Sequence, residues 1–423
     1  MREDFLHFVW KHKTFDLLDL KTTMDLPVEI RSIGMHNHHA GPDFFNSQLI
    51  IDGQLWAGNV EIHVKSSDWY AHNHETDRAY DNVILHVVFE DDTEIYRMDN
   101  SVIPTLELKT YIHHGVVERY NRLFSKTGKW INCEADFNRV DNFIISNWLQ
   151  RLYFERLERK SESIAKLLTS SNNNWEGVLF QMLAKNFGLK VNGEAFLSMA
   201  SSFDFSVVRK TSSCPVQLEA LFFGQSHLLE KDSQTNYQNK LSREYAFLKQ
   251  KFQLDNVGVQ PLQFFRLRPP NFPTIRLSQL ANLYCEVPNL FSRILDTKQI
   301  NRFYELFAVG VSEFWQTHYT FDKVSKPTKK LLTKSFIDLL LINTIIPLKF
   351  QYARFHAQAG DGEILDLIQQ IKPESNGIVS GFEKLKPLST SALETQALIQ
   401  LKSEYCDKNQ CLKCAIGSSL LGK

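Results

Sequence analysis

Neither sign of charge is in excess. Lys and Arg number 48 against 48 Asp and Glu, a formal net charge of zero. No whole-molecule field therefore draws the chain to nucleic acid or to a membrane, and any phosphate-binding surface has to be a local patch. Cysteine is scarce, six in 423 residues, which excludes a disulfide scaffold. Three of the six crowd near the C-terminus, a pattern of metal or redox use in a reducing compartment. Long apolar runs are missing as well. The most apolar stretch, Phe336 to Pro347, carries Asp338 and Asn343, is too short to cross a bilayer and reads as a buried core helix. The N-terminus, MREDFLHF, has no signal-peptide pattern. The expectation is a soluble, cytoplasmic protein without a membrane partner. No P-loop, dinucleotide fingerprint or nucleophile elbow is present, no Ser-His-Asp or Cys-His order, and no repeat of constant period.

What the chain does have is core material: 43% hydrophobic and 12% aromatic residues, 31 of them Phe. Its length exceeds a single core, so two domains are the natural prior. The first 115 residues read as an α/β domain. Helical spacing over 3–18 places Phe5, Phe8, Val9 and Leu17 among the apolar positions. Strand patterns follow at 28–33, 44–51, 54–65, 82–89, 94–99 and 103–109, with room for a short helix between 66 and 81. A connector over 116–140 leads to a mostly helical region, 141–423, opened by a long helical pattern over 141–168. Others lie near 174–187, 192–201, 215–231, 236–252, 275–284, 299–309, 329–346 and 391–405. Gly188 is expected as a helix C-cap, and 360–362 and 373–377 as loops. The fold class expected is α+β, with a mixed sheet first and helices after.

The most informative stretch is Gly41-Pro42-Asp43 followed by Asn59-Val60-Glu61-Ile62-His63-Val64-Lys65. In a strand, Val60, Ile62 and Val64 point to one side and Glu61, His63 and Lys65 to the other. Asp52-Gly53 can close a tight hairpin with the strand after Asp43, which brings Asp43 towards Glu61. Two carboxylates converging at a strand end can hold a hard cation such as Mg²⁺ or Mn²⁺, and a neighbouring His63 or Lys65 can orient or deprotonate a water. A plain hairpin with a polar solvent face is the alternative.

This arrangement resembles the PD-(D/E)XK nuclease superfamily. Pro42-Asp43 matches the first half of its motif and Glu61-Ile62-His63 the second, with His63 where the motif has Lys and Lys65 two residues on. The resemblance spans about residues 1–110 and implies metal-dependent hydrolysis of phosphodiesters in nucleic acid. Across most of its length the chain is also similar to an uncharacterised bacterial family known only as a domain of unknown function, through AGPDFFNSQLIIDGQLWAGNVEIHVKSSDW, RAYDNVILHVV, NFPTIRLSQLA and YCDKNQCLKCAIG. That likeness implies no activity. A non-catalytic nucleic-acid-binding or scaffold protein, and a His-rich metalloenzyme acting on a small molecule, stay open beside the nuclease.

Histidine is dense in the first half: His36, His38, His39, His63, His72, His74 and His86 are half of the 14 in the chain. His72 and His74, in a His-x-His pair near Asp77, have metal-ligand character. The same pair is compatible with a cupin-like barrel. His86 is expected inside, hydrogen-bonded. Cys406, Cys411 and Cys414 offer three thiols within nine residues, fit for Zn²⁺ or an iron–sulfur cluster, with Cys133 the best fourth ligand. Some PD-(D/E)XK proteins carry an iron–sulfur staple of similar layout. Cys214 and Cys285 read as core residues. Finally, Arg266, Arg268 and Arg276 alternate with Phe in one run. They suggest a nucleic-acid surface, or a rigid loop with its arginines paired.

Overall fold

A computed structural model of the chain describes residues 1–37, 39–125, 128–230, 235–358 and 360–422; His38 lies outside them. The fold is α+β, a mixed sheet followed by a mostly helical region. Two compact units divide the chain. One is Met1–Trp148 with Lys384–Lys386 and Gln400–Lys423; the other is Leu149–Glu383 with Pro387–Ile399. The cysteine-bearing tail therefore belongs to the sheet-containing unit and not to the helical region expected over 141–423.

In the first unit, α1 (Glu3–His12) precedes β1 (Val28–Ser32), β2 (Met35–His36), β3 (Phe44–Ile51) and β4 (Gln54–Lys65). After β4 come α2 (Asp68–Ala71), β5 (Val83–Glu90), β6 (Thr105–Glu107) and α3 (His114–Phe124). The strand order is β1-β3-β4-β5-β6, with β2 on β3; β4 pairs antiparallel with β3 and parallel with β5. Asp52 (φ 51°) and Gly53 (φ 77°) close the β3–β4 hairpin, both left-handed as a type I′ turn requires. The parallel β4–β5 pair requires a crossover, which residues 66–82 supply over one sheet face.

That crossover decides the character of the two faces. Val60 and Ile62 enter a core with Phe5, Val9, Phe44 and Val87, where each buried side chain contributes about 1.5–3 kcal/mol. Glu61 and His63 point the other way, and they are not solvated: they are 5% and 1% exposed. The polar-solvent-face reading of this hairpin does not hold, because Trp69 and Tyr80 of the crossover are themselves buried there.

Some elements differ from the sequence reading. α1 stops at His12, where Lys13 turns left-handed (φ 49°), and Phe15 bridges to Ile112 instead of continuing the helix. Segment 94–99 forms only a bridge, Tyr96 to Val102, around a turn at Asn100 (φ 62°). Gly360-Asp361-Gly362 opens a helix, Asp361–Gln370, whose first turn gains from Asp361 and Glu363 at the positive end of its dipole. Gly188 does cap the helix Trp175–Phe187, as expected, in the right-handed conformation (φ −68°), and the left-handed residue is Leu189 (φ 55°).

The second unit is built from helices including Trp175–Phe187, Leu189–Ser201, Asn236–Phe252 and Pro273–Glu286. Residues Lys334–Phe355 are long and apolar enough to cross a membrane by length and composition, but 67% of the apolar window is buried inside the protein. Pro347 explains the π-helical turn Leu341–Ile345 within it. Having no N–H, Pro347 leaves the Ile342 carbonyl without its partner. The ammonium of Lys160 takes that carbonyl at 3.2 Å.

Candidate metal centre

Asp43 reaches its place through Gly41, whose φ of 96° is the left-handed conformation glycine adopts without cost. At the start of β3 it meets Glu61 of β4, and backbone amides lock the pair. The Asp43 N–H donates to Glu61 Oε2 at 3.0 Å, and the Ile62 N–H donates to Asp43 Oδ2 at 2.9 Å. Each carboxylate is thus fixed by the other's strand. Asn46 (φ 56°) sits at the register break between Phe44 and Ser47 in β3, which keeps Phe44 and Leu49 both in the core.

Two groups gather round this pair. From α1, Glu3 and His7 lie one turn apart: His7 Nε2 is 3.1 Å from Asp43 Oδ2 and 3.5 Å from Glu3 Oε1. From the crossover come His72 and His74, separated by left-handed Asn73 (φ 60°). His63 Nε2 is 3.1 Å from His72 Nδ1, and Glu61 Oε1 is 3.5 Å from His63 Nε2 and 3.4 Å from His74 Nε2. Among the described residues, the clusters of three or more possible ligands with all their atoms within 4.8 Å are His63–His72–His74 and Glu3–His7–Asp43. Tyr80 stacks on His74 with ring centres 3.7 Å apart and fixes that ring.

Burial sets the protonation. Burial and the nearby Asp43 push the Glu61 carboxyl up to about 9. Burial, reinforced by His74 and His72, holds His63 down at about 3, so its imidazole is neutral. His86 is fully buried, its Nε2 is 2.8 Å from His63 Nδ1, and burial drives it well below the ordinary histidine value. His7 moves up, because its bond to Asp43 and the charges of Asp43 and Glu3 outweigh desolvation. The site is sealed at Glu61 and His63 and open at His72.

Lys65 ends β4 with its ammonium 3.6 Å from Asp92 and half exposed. Glu3 and His7 were missed from sequence. Their i, i+4 spacing on the polar side of α1 was the available signal, and it points to a site only once α1 packs on β4.

Cys133, Cys406, Cys411 and Cys414 line one cavity of about 10 Å³, close to the volume of a single water-sized sphere. Cys406 ends a π-helical turn (Leu401–Cys406), Cys411 begins a 3₁₀ turn, and Cys414 caps the helix Ala415–Leu421. Gly417 is required there: a Cβ would sit 2.1 Å from the Cys411 carbonyl oxygen. The Asn132 amide donates to Cys411 Sγ at 3.4 Å. Burial raises all four thiols, Cys133 to about 12 and Cys414 to about 11. No three of the four sulfurs come within 4.8 Å of one another.

The family model for proteins of unknown function DUF2851 matches residues 3–377. The chain belongs to the DUF2851 family. The match takes in Glu3, His7, Asp43, Glu61 and every histidine of the cluster, as well as Cys133, and ends before Cys406. No curated protein and no solved structure matches this DUF2851 chain.

The arginine run lies in the helical unit. Arg266 and Arg268 are exposed, with Arg266 beside the ring of Phe265, which is 77% exposed. Arg276 has to be corrected as a phosphate contact. It is buried, bonded to Gln279 Oε1 at 2.9 Å and Asn271 Oδ1 at 2.6 Å, and its guanidinium lies 3.7 Å from the Phe336 ring centre. It anchors the start of the helix Pro273–Glu286. Arg276→Gln is expected to lower the stability of the helical unit by about 1–3 kcal/mol, from the polar groups left unpaired. The same change should leave the salt dependence of any nucleic-acid binding untouched, as chemical denaturation and binding titrations would show. A lowered salt slope at unchanged stability would return Arg276 to the surface role.

Proposed function

We propose that this DUF2851 protein is a metal-dependent hydrolase of phosphodiesters, acting on nucleic acid with Mn²⁺ or Mg²⁺ held by Asp43 and Glu61. The observation that carries the reading is the reciprocal lock of these two carboxylates at the ends of β3 and β4. A buried Glu61 carboxylate beside the charge of half-buried Asp43 is costly without a cation or a proton to offset it. Glu3 and His7 extend the ligand set, and the histidine nitrogen favours Mn²⁺ over the all-oxygen preference of Mg²⁺. A cation held by Asp43 and Glu61 would supply Lewis acidity to a water nucleophile, so no separate strong base would be needed. The likeness to PD-(D/E)XK nucleases supports the choice of substrate, as do the exposed Arg266, Arg268 and Phe265, which suit a backbone phosphate and a stacked base.

The cysteines are read as a separate, structural centre. A tetrahedral zinc with bonds of about 2.3 Å needs sulfurs about 3.8 Å apart. The wider spacing here favours an iron–sulfur cluster. A second functional reading, a metalloenzyme acting on a small molecule, is favoured by the three clustered imidazoles alone.

The test is cleavage of fluorescent single- and double-stranded oligonucleotides, with bis(p-nitrophenyl) phosphate alongside. Cleavage is expected with Mn²⁺ and absent with a chelator. Asp43→Ala should lower it by at least about 10³-fold, the scale of losing charge stabilisation at the reacting phosphate, with unchanged circular dichroism. Absence of cleavage of every phosphodiester, or equal rates in Asp43→Ala, would remove the reading.

A further inference from the structure

The carboxylate pair does not account for the three histidines beside it. His63 Nε2 and His72 Nδ1 lie 3.1 Å apart, and Glu61 Oε1 lies 3.5 Å from His63 Nε2 and 3.4 Å from His74 Nε2. A tetrahedral cation with bonds of about 2.0–2.1 Å sets its ligand atoms about 3.3–3.4 Å apart. Three of the six edges of such a tetrahedron are thus near their ideal length, and the three imidazole nitrogens lie within 4.8 Å of one another, with Glu61 reaching the group from the side of His63 and His74. The elements that carry them are rigid: His63 is on β4, His74 is stacked on Tyr80, and His63 Nδ1 is 2.8 Å from His86 Nε2. With the His63 proton on Nδ1 and donated to His86, the Nε2 lone pair faces the cluster, and a bond of this kind behind the ring is how proteins orient a ligating imidazole.

We propose that His63, His72 and His74, with Oε1 of Glu61, form a second, nitrogen-rich cation site beside the Asp43 site, taking a borderline divalent ion such as Zn²⁺. Three imidazoles and one carboxylate suit that class of metal, whereas Glu3, His7 and Asp43 make a harder, oxygen-rich site. Glu61 spans the two, with Oε2 bonded to the Asp43 amide and Oε1 facing the histidines. The inference deepens the hydrolase reading and rests on it only for the role of the ion. Phosphoryl transfer needs positive charge beside the attacked phosphate. Lys65, the nearest lysine on this strand, is drawn to Asp92. An ion at the histidines supplies the charge that Lys65 does not place there. His72 is exposed, so the site is open to substrate on that side.

The experiment uses the full chain, stripped of exchangeable metal and titrated with Co²⁺. Uptake is followed by elemental analysis and by the visible ligand-field bands of imidazole-bound cobalt, which differ from the sulfur charge-transfer bands of the cysteine centre. Wild type should bind one equivalent more than His72→Ala/His74→Ala. Asp43→Ala should keep that equivalent and its bands. His72→Ala alone, at an exposed position that leaves folding intact, should weaken it by at least about tenfold. Equal uptake by wild type and the double variant, or loss of one and the same equivalent in both the Asp43 and the histidine variants, would overturn the second site. Two cations bound without cleavage of any phosphodiester would leave this inference standing and remove only the hydrolase reading. Cleavage with equal uptake would do the reverse.

Discussion

Glu61→Gln will abolish metal-dependent cleavage, by about 10³-fold or more, and will at the same time stabilise the metal-free protein at pH 8. The first effect follows from position: Glu61 faces Asp43 through one oxygen and the histidines through the other. Removing its charge would weaken both proposed cation positions. The second effect follows from burial. In the folded metal-free protein the carboxyl ionises only near pH 9, against the ordinary carboxylate range when unfolded. The folded state therefore binds more protons than the unfolded state between those values. The contribution of Glu61 to stability is full at low pH and is lost as pH rises towards 9. His63, held at about 3, acts oppositely, adding stability as pH rises from about 3 through the normal histidine range. Above that range the His63 effect is complete, while Glu61 still titrates. Glutamine, uncharged throughout, removes it and is expected to stabilise by about 1–3 kcal/mol at pH 8. Thermal melts of chelated wild type and variant from pH 5 to 9 would show the curves diverging upward with pH. Parallel curves would mean that Glu61 is not held protonated.

Cys411→Ser should cost more than about 4 kcal/mol, the scale reserved for loss of a metal centre. The four cysteines join Cys133 to a tail almost three hundred residues away in sequence but within the same compact unit. A cluster there closes a very long loop and contributes its binding energy directly to folding. Anaerobically purified wild type should be coloured and contain iron and acid-labile sulfide; Cys411→Ser should be colourless and melt at much lower temperature. Colourless wild type carrying one zinc would keep the centre but change its metal. A metal-free wild type with the same melting temperature as the variant would end the idea.

The sequence displayed the parts of the site that lie along one strand or one turn. The alternation through Val60–Lys65 and the Asp52-Gly53 turn were enough to put Glu61 and His63 on one face and Asp43 at its edge. What it could not display was which layer would cover that face. A two-residue period looks the same whether the polar side meets water or a crossover, so the burial of Glu61 and His63 was not readable. Glu3 and His7 were hidden because the apolar residues of α1 dominate its pattern. Lys65 shared the right parity, but Asp92, just after β5, takes its charge. Arg276 sat in a run whose composition suits nucleic acid, yet two side-chain amides and an aromatic ring hold it inside.

The central claim is that the reciprocal carboxylate pair of β3 and β4 is a cation site. A crystal of the full chain soaked in Mn²⁺, measured at the manganese absorption edge, tests it most directly. The account predicts an anomalous peak within about 2.0–2.6 Å of an oxygen of Asp43 and of Glu61. A map with manganese elsewhere on the protein and none between these two side chains would contradict it.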